Sequence, residues 1–181
     1  MRKFVLLFTF ILFNIILYSQ NTVEITLGSG YTVVDIEKLV TVDEVQGSFA
    51  TDWGNINGAL SVNYLFGSEK LVNYGVEVMY QHLYWYSVSV PYGSQTIYRE
   101  YSVSAGKLIP FLRIGKGPIT FDFGGEIIFS GGLKGGVLTS LNYLFPINDK
   151  ISVPLKFRTE LVTGTVLSFP ISINGGVEIK L

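Results

Sequence analysis

The sequence of 181 residues has no cysteine, one histidine and few charged side chains. Without cysteine there can be no disulfide framework, thiolate metal site or cysteine nucleophile. One histidine excludes a histidine metal cluster, and the spacing of a calcium-binding loop is absent from the sequence. The formal net charge of −1 offers no basic surface for nucleic acid. We therefore expect a fold held by packing and hydrogen bonds, with no cofactor and no metal.

The first twenty residues, MRKFVLLFTFILFNIILYSQ, have the order of a secretory signal. Arg2 and Lys3 precede the mostly apolar residues 4–18, and the small Ser19 follows. A membrane-anchoring helix is the alternative, but Asn14 interrupts the apolar run, which is shorter than the ~20 residues that span a bilayer. We predict a signal peptide over residues 1–19, cleaved near Ser19, and one domain over residues 20–181.

After Gln20, apolar and polar residues alternate with a period of two, which is typical of β-strands with two unlike faces. Eight such segments follow one another, near residues 22–34, 58–66, 71–86, 96–113, 118–129, 135–145, 150–162 and 167–181. The connections after the second, fourth and sixth segments are short, whereas residues 35–56 form a long one. Short and long connections therefore lie at opposite ends of the predicted sheet.

The two faces of these strands differ in a way that favours a membrane. Aromatic residues gather near the ends of the apolar face, as at the two interfaces of a membrane barrel. Toward the tight turns they are Tyr64, Phe66, Tyr143 and Phe145, and toward the loops they are Tyr80, Tyr84, Tyr86 and Phe129. The polar face is rich in small residues, which suits the crowded lumen of an eight-stranded barrel better than a solvated exterior. Those small residues are Gly28, Gly30, Ser61, Gly75, Gly124, Gly136, Ser140, Ser172 and Gly176.

Several short motifs carry a resemblance to a known family: NYLF before turns at 63–66 and 142–145, LIPFLR at 108–113, SVPLKFR at 152–158 and the final GGVEIKL. With the strand count, they make the chain resemble the small eight-stranded outer-membrane β-barrels of Gram-negative bacteria. The resemblance implies an all-β, eight-stranded antiparallel up-and-down transmembrane β-barrel. It also implies contact with outer-membrane lipid, assembly by the barrel-insertion machinery and a monomeric state. The last strand, ending at Leu181, should close the barrel against the first strand near Val23.

Charged residues on the polar face should project into the lumen. Paired carboxylates suit general acid–base catalysis, but we interpret the set as a structural network, because buried charges need partners wherever they occur. Arg158 is the predicted centre, since its planar guanidinium can hold two carboxylates, and Arg113 is a further candidate. The predicted network comprises Glu24, Glu77, Asp122, Glu126, Lys156, Arg158, Glu160, Glu178 and Lys180.

Lys107 breaks the pattern of the fourth segment. It shares its parity with Tyr101, Val103 and Ala105, which would place an ammonium group in lipid at a cost of ~2 to 4 kcal/mol near the midplane. We therefore predict a β-bulge at Gly106 and Lys107 that reverses the parity, so that Leu108, Pro110 and Leu112 face lipid.

His82 and the long connection are the remaining candidates for function. Lipid-modifying barrel enzymes use a histidine with serine and acid partners near the outer interface, but no serine or acid shares the strand face of His82. We interpret His82 as an interfacial side chain. The loop 35–56 contains five acidic residues and one lysine, so it could contact an extracellular partner or divalent ions.

The sequence therefore predicts a non-enzymatic integral outer-membrane barrel with a side-chain-filled lumen and a structural or adhesion-like role. Two alternatives stay open: an outer-membrane enzyme that modifies lipid A through His82, and a soluble periplasmic carrier barrel with an apolar cavity.

Overall fold

A computed structural model of the chain describes residues 21–34, 51–52, 56–67, 71–92, 95–163 and 167–181, with side chains except at 34, 51–52 and 84–101. The predicted signal peptide lies outside the described residues, as does most of the loop 35–56. The separation into residues 1–19 and 20–181 therefore stays a prediction.

The described chain is built from β-strands. In chain order they are β1 (Thr22–Val34), β2 (Thr51–Asp52), β3 (Ile56–Phe66), β4 (Val72–Tyr92), β5 (Gln95–Ile114), β6 (Ile119–Phe129), β7 (Leu133–Pro146), β8 (Ile151–Val162) and β9 (Ser168–Lys180). Among the residues described, no helix has both the length and the apolarity needed to cross a membrane.

Eight of these strands close into a ring. Its order is β4-β3-β1-β9-β8-β7-β6-β5, and β5 pairs back onto β4; the two-residue β2 adds to the side of β4. Neighbouring strands in the ring are antiparallel, and β1 and β9 pair along their whole length, with Val23 opposite Ile179. The backbone N–H of Leu181 donates to the carbonyl oxygen of Asn21 at 2.9 Å. The predicted fold class is confirmed, and closure satisfies backbone groups that lipid cannot.

The strands are staggered around the ring, which tilts them against the barrel axis. A path of paired residues that begins at Glu24 and passes once around the barrel returns to β1 at Val34, ten residues farther along. Strand number and stagger together set the diameter, and eight strands leave an interior that side chains can fill. Because of this stagger, the residues that share one level along the barrel axis cannot be found by counting along a single strand.

Alternation along each strand divides the side chains between lumen and exterior. In β6, Asp122 and Glu126 are buried, whereas Phe121, Phe123 and Ile127 are exposed on the outside. Small residues line the crowded inner face: at Gly30 and Gly176 an added Cβ would overlap the backbone of the neighbouring strand. The exterior is therefore apolar and the interior polar, the reverse of a soluble carrier barrel with an apolar cavity, and that alternative is wrong.

The predicted bulge at Gly106 and Lys107 is wrong. β5 keeps one register against β6 from Gly106 to Ile114. Ala105 and Lys107 are both buried, at 1% and 2% exposure, so the strand already points both side chains into the lumen. A small apolar residue such as Ala105 fits either face of the strand. Its hydropathy predicted the lipid face, whereas its side chain points into the lumen. Leu108, Pro110 and Leu112 face outward, as predicted.

A bulge does occur, on the neighbouring strand. The register between β4 and β5 shifts between His82, which lies opposite Ser104, and Tyr84, which lies opposite Val103. Leu83 is the extra residue, and its side chain is 3% exposed. An extra residue in one strand increases the local twist and bends it. The bulge lies where the pairing of β4 with β3 ends, at His82.

Above this bulge, β4 and β5 continue as a hairpin beyond their neighbours. β3 pairs with β4 only as far as His82, and β6 pairs with β5 only as far as Gly106, but β4 and β5 stay paired up to Tyr92 and Gln95. β4 ends at Tyr92, six residues beyond the end predicted for the third segment. The hairpin lies at the end of the barrel with the long connection, opposite the tight turns.

Candidate functional site

The lumen is the candidate site, because it gathers the buried charged groups of the described chain. They fall into two networks at different heights. The Arg113 network comprises Glu24, Arg113, Asp122, Lys156 and Glu178 and lies toward the tight turns; the Lys107 network comprises Glu77, Lys107, Glu126, Arg158 and Glu160 and lies toward the hairpin.

Arg113 is the centre of the network toward the tight turns. Its Nε and Nη2 donate to the two carboxylate oxygens of Asp122 at 2.7 and 2.9 Å, a bidentate pair. Nη2 also donates to Glu24 at 3.2 Å, and Nη1 to Glu178 at 3.4 Å. Lys156 forms an ion pair with Glu24. One guanidinium therefore joins carboxylates from three strands, β1, β6 and β9.

Neutral side chains complete this network. The amide of Asn63 donates to Glu24 at 2.7 Å. Asn142 donates to the hydroxyl of Thr120 at 3.2 Å and accepts from Ser140 at 2.6 Å. Buried polar groups destabilise a fold unless they find partners. These hydrogen bonds therefore satisfy the neutral polar side chains that surround the ion pairs.

The Lys107 network connects β4, β5, β6 and β8. The ammonium of Lys107 pairs with Glu126 at 3.2 Å and also with Glu160. Arg158 donates to Glu77 at 2.6 Å, and its other nitrogen lies 3.9 Å from Glu160. Three carboxylates face two cations here, so the network has an excess of acceptor atoms.

An apolar cluster lies between the charged groups on the lumen side. Ala59, Met79, Ile109 and Leu138 are buried together, and the sulfur of Met79 lies 3.6 Å from Arg158. Large side chains thus occupy the lumen at the height of the Lys107 network as well. Among the fully buried side chains, Arg158, Lys107 and Lys156 have the largest volumes. Charged residues therefore make up much of the material that fills the barrel.

The structure places eight of the nine predicted network residues in the lumen. Lys180 is the exception: it is exposed at the rim near the tight turns. Arg158 contacts two carboxylates, but Arg113 contacts three and is the larger hub. Simple alternation from Tyr101 predicted a bulge that would keep Lys107 out of lipid, but Lys107 lies in the lumen without one. The signal that could have found it is Arg113, which lies six residues farther along the same strand and therefore on the same face.

His82 has a partner that inspection of its own strand could not reveal. Its Nδ1 lies 3.0 Å from the hydroxyl oxygen of Ser104 on β5. The pair lies on the outside of the barrel, beside the bulge. Among the described side chains, no carboxylate is hydrogen-bonded to His82, so a complete serine–histidine–acid relay is not assembled in that part of the chain.

The described residues also contain no group of three or more histidine, aspartate or glutamate side chains arranged to hold a metal ion. In the lumen, the carboxylates instead face arginine and lysine. The charged residues there are therefore arranged as ion pairs, and general acid–base chemistry would also need a route for substrate between them.

The exterior carries the features of a membrane interface. Toward the tight turns, the rings of Tyr64 and Phe66 lie 4.8 Å apart, and Phe66 stacks on Tyr74 at 5.2 Å. Toward the other end, Tyr80 and Phe129 are 61% and 56% exposed. Tyr84 and Tyr86, also predicted for this belt, lie outside the described side chains. Aromatic belts on both sides of an apolar band are typical of a transmembrane barrel.

Comparison with known proteins gives similarities of structure only. Neither a family model nor a curated protein matches the chain. The outer-membrane protein OprG from Pseudomonas aeruginosa aligns at a TM-score of 0.47 and 10% identity, covering 90% of this chain and 96% of OprG. Neisserial surface protein A aligns at 0.42 and 12%, covering 90% and 98%. The translocator domain of the autotransporter NalP from Neisseria meningitidis aligns at 0.30 and 8%, covering 90% and 88%. At these values nothing about binding or activity carries over.

The class of membrane protein follows from the exterior and the lumen of the chain itself. A closed antiparallel ring, an apolar exterior between aromatic belts and a lumen filled with ion pairs are the architecture of an integral outer-membrane barrel. The outer-membrane location expected from the sequence is confirmed. The protein is an integral outer-membrane barrel protein of the small eight-stranded architecture.

Proposed function

We propose that the protein is a non-enzymatic outer-membrane barrel with a closed lumen, and that it presents a surface outside the cell in a structural or adhesion-like role. The observation that carries the proposal is the hairpin of β4 and β5, which extends ten residues beyond the last pair of β4 with β3. A barrel that presents no surface beyond its rim needs no such extension. The ring closes without a second chain, which supports a monomer, and we propose that the barrel-insertion machinery assembles it.

The hairpin also connects to the loop for which the sequence predicted an extracellular partner. Thr51 and Asp52, which lie within the loop 35–56, pair with Val88 and Ser87 of β4. Thr51 and Asp52 therefore add a short strand to the hairpin, and we propose that the loop and the hairpin act together. Loops held on a rigid scaffold commonly carry binding residues.

Shortening the hairpin tests the surface role. Replacing residues 88–99 by a two-residue Asn-Gly turn keeps the pair Ser87 and Glu100 at the new end, and Asn-Gly suits a tight hairpin. We expect cells with this variant to attach to other cells and to extracellular polymers no better than cells lacking the protein. Heat-dependent migration of the folded barrel in gels is the control for assembly. Equal attachment by wild type and variant, above that of cells lacking the protein, would remove the hairpin from the role.

Conductance tests the closed lumen. Because the Arg113 and Lys107 networks fill the interior of an eight-stranded barrel, we expect no steady current through purified protein in planar lipid bilayers. Stable, ion-selective openings would show a continuous water path and overturn the proposal for the lumen. Recordings at several salt concentrations separate such openings from leaks around the protein, since only the former retain a fixed selectivity.

An enzyme that modifies lipid is the second candidate, and the hydrogen bond between His82 and Ser104 is the observation that favours it. A histidine beside a serine can activate the hydroxyl as a nucleophile. Mass spectrometry of lipid A from cells with the wild-type protein and with His82→Gln decides between the candidates. Identical lipid A profiles in both, and in cells without the gene, would remove the enzyme hypothesis.

A further inference from the structure

A cavity of about 700 Å³ opens at the tight-turn end of the barrel. Its wall includes Thr22 of β1, the turn from Gly115 to Pro118, Leu144 of β7 and Lys180 of β9. We call it the periplasmic cup, since the tight turns of outer-membrane barrels face the periplasm. Arg113 forms part of its inner end, so the Arg113 network closes the cup toward the lumen.

Positive charge predominates around the cup. Arg113, Lys116 and Lys180 line it, and Glu178 is the acid among its lining residues. Arg113 directs its hydrogen bonds to Asp122, Glu24 and Glu178. In the described part of the chain, neither Lys116 nor Lys180 forms an ion pair. Two ammonium groups are therefore available to an anion that enters from the periplasm.

The cup also contains a buried hydroxyl without a partner. Thr22 is 1% exposed, and its Oγ1 makes no hydrogen bond within the described residues. Ser152, which is also buried, lines the same cavity. A ligand oxygen that accepted a hydrogen bond from Thr22 would give this hydroxyl the partner that the described residues do not supply.

The rest of the wall is largely apolar. Leu65, Leu144, Pro118 and Pro146 supply carbon surface beside the lysines. The volume lies within the range of pockets that bind small molecules, which is roughly 300–1,000 Å³. An inorganic ion would leave most of this space and all of this surface unused. The fitting ligand has a carboxylate or similar oxyanion at one end and an apolar body at the other.

We propose that the periplasmic cup binds small organic carboxylates with an apolar body, with the oxyanion between Lys116, Lys180 and Thr22. The site is separate from the hairpin and loop surface, so its existence does not depend on the adhesion-like role. Because both lysines are exposed to water, where single ion pairs contribute little, we expect a dissociation constant on the order of 1 mM.

Titration followed by NMR tests the proposal on the whole purified barrel in zwitterionic detergent micelles. N-acetyl-phenylalanine is the probe, and its neutral amide is the matched control compound. We expect saturable shifts of the backbone amides of Gly115, Lys116, Gly117 and Lys180 with the acid, and weaker, unsaturated shifts with the amide. Acetate at equal ionic strength should bind more weakly than the probe, because it lacks the apolar body.

Three variants assign the binding to the cup. The double variant Lys116→Gln and Lys180→Gln should weaken binding about tenfold or more, as expected when both cations are lost. Thr22→Val should weaken it while both lysines remain, and Lys134→Gln, in β7 away from the cup, should have no effect. Equal binding of acid and amide, or unchanged binding in the double variant, would overturn the proposal.

Discussion

Replacing Arg113 with methionine should lower the free energy of unfolding of the barrel by about 3–5 kcal/mol, the range for breaking a buried ion pair from one side. The reason is that Glu24, Asp122 and Glu178 all contact this guanidinium. Without it, Lys156 is the cation of the described lumen that remains near Glu24 and Asp122. Equilibrium urea titration of the barrel in lipid vesicles, followed by tyrosine and tryptophan fluorescence, measures the loss.

Two comparisons separate charge from geometry at this site. Arg113→Lys keeps the charge but not the planar fork that holds Asp122 through two nitrogens, so it should lose less stability than methionine. Adding Asp122→Asn to Arg113→Met removes one of the unpaired charges and should recover part of the loss. Lys134→Met is the control, because Lys134 lies outside the network. A loss for Arg113→Met no larger than that for Lys134→Met would contradict the assignment of Arg113 as the hub.

Replacing Phe157 with arginine should be the most damaging change on the outside of the barrel. Phe157 lies near the middle of β8, is 51% exposed, and is paired with Leu141 and Ile173. An arginine on the lipid face costs about 2–4 kcal/mol near the midplane of the bilayer. The same titration in vesicles measures the effect, after the variant is shown to fold.

Position along the strand provides the control for this change. Ile179 also faces outward but lies at the tight-turn end of β9, one residue before its last residue. Near the interface an arginine costs only about 0–1 kcal/mol, so Ile179→Arg should be well tolerated. If both variants lost the same stability, depth in a bilayer would not be the cause, and the outer face would not be a lipid face.

The lumen explains why stability should depend on a few side chains. Glu24, Lys156 and Arg158 are at most 2% exposed, whereas soluble domains place such residues on their surface. Each ion pair has to compensate the loss of hydration of two charges. Removing one partner therefore leaves a buried charge without compensation and destabilises the fold. This is why changes to neutral residues at both ends of a pair should be milder than a change at one end.

The fold class, and the assignment of most side chains to the lumen or the exterior, follow from the pattern of residues alone. Alternation with a period of two fixes which residues share a face, and the contrast between small polar and large apolar positions indicates which face is the lumen. For this reason Glu24, Asp122 and Arg158 could be assigned to the interior without coordinates. Tight turns such as the one at Asn148, whose side chain accepts from the backbone of Lys150 and Ile151, were also evident as polar, turn-forming stretches.

Which of the inward residues contact one another depends on how the strands are paired around the barrel. The stagger of the ring brings Arg113 of β5 to the height of Glu24 of β1, and a ten-residue stagger cannot be read from the pattern of any single strand. The position of Lys107 also required the structure. Lys107 shares its face with Ala105, and the hydropathy of Ala105 does not distinguish the lumen from lipid. The His82 and Ser104 contact and the bulge at Leu83 depend on the register between β4 and β5. Periodicity within a strand fixes directions, whereas register between strands fixes partners.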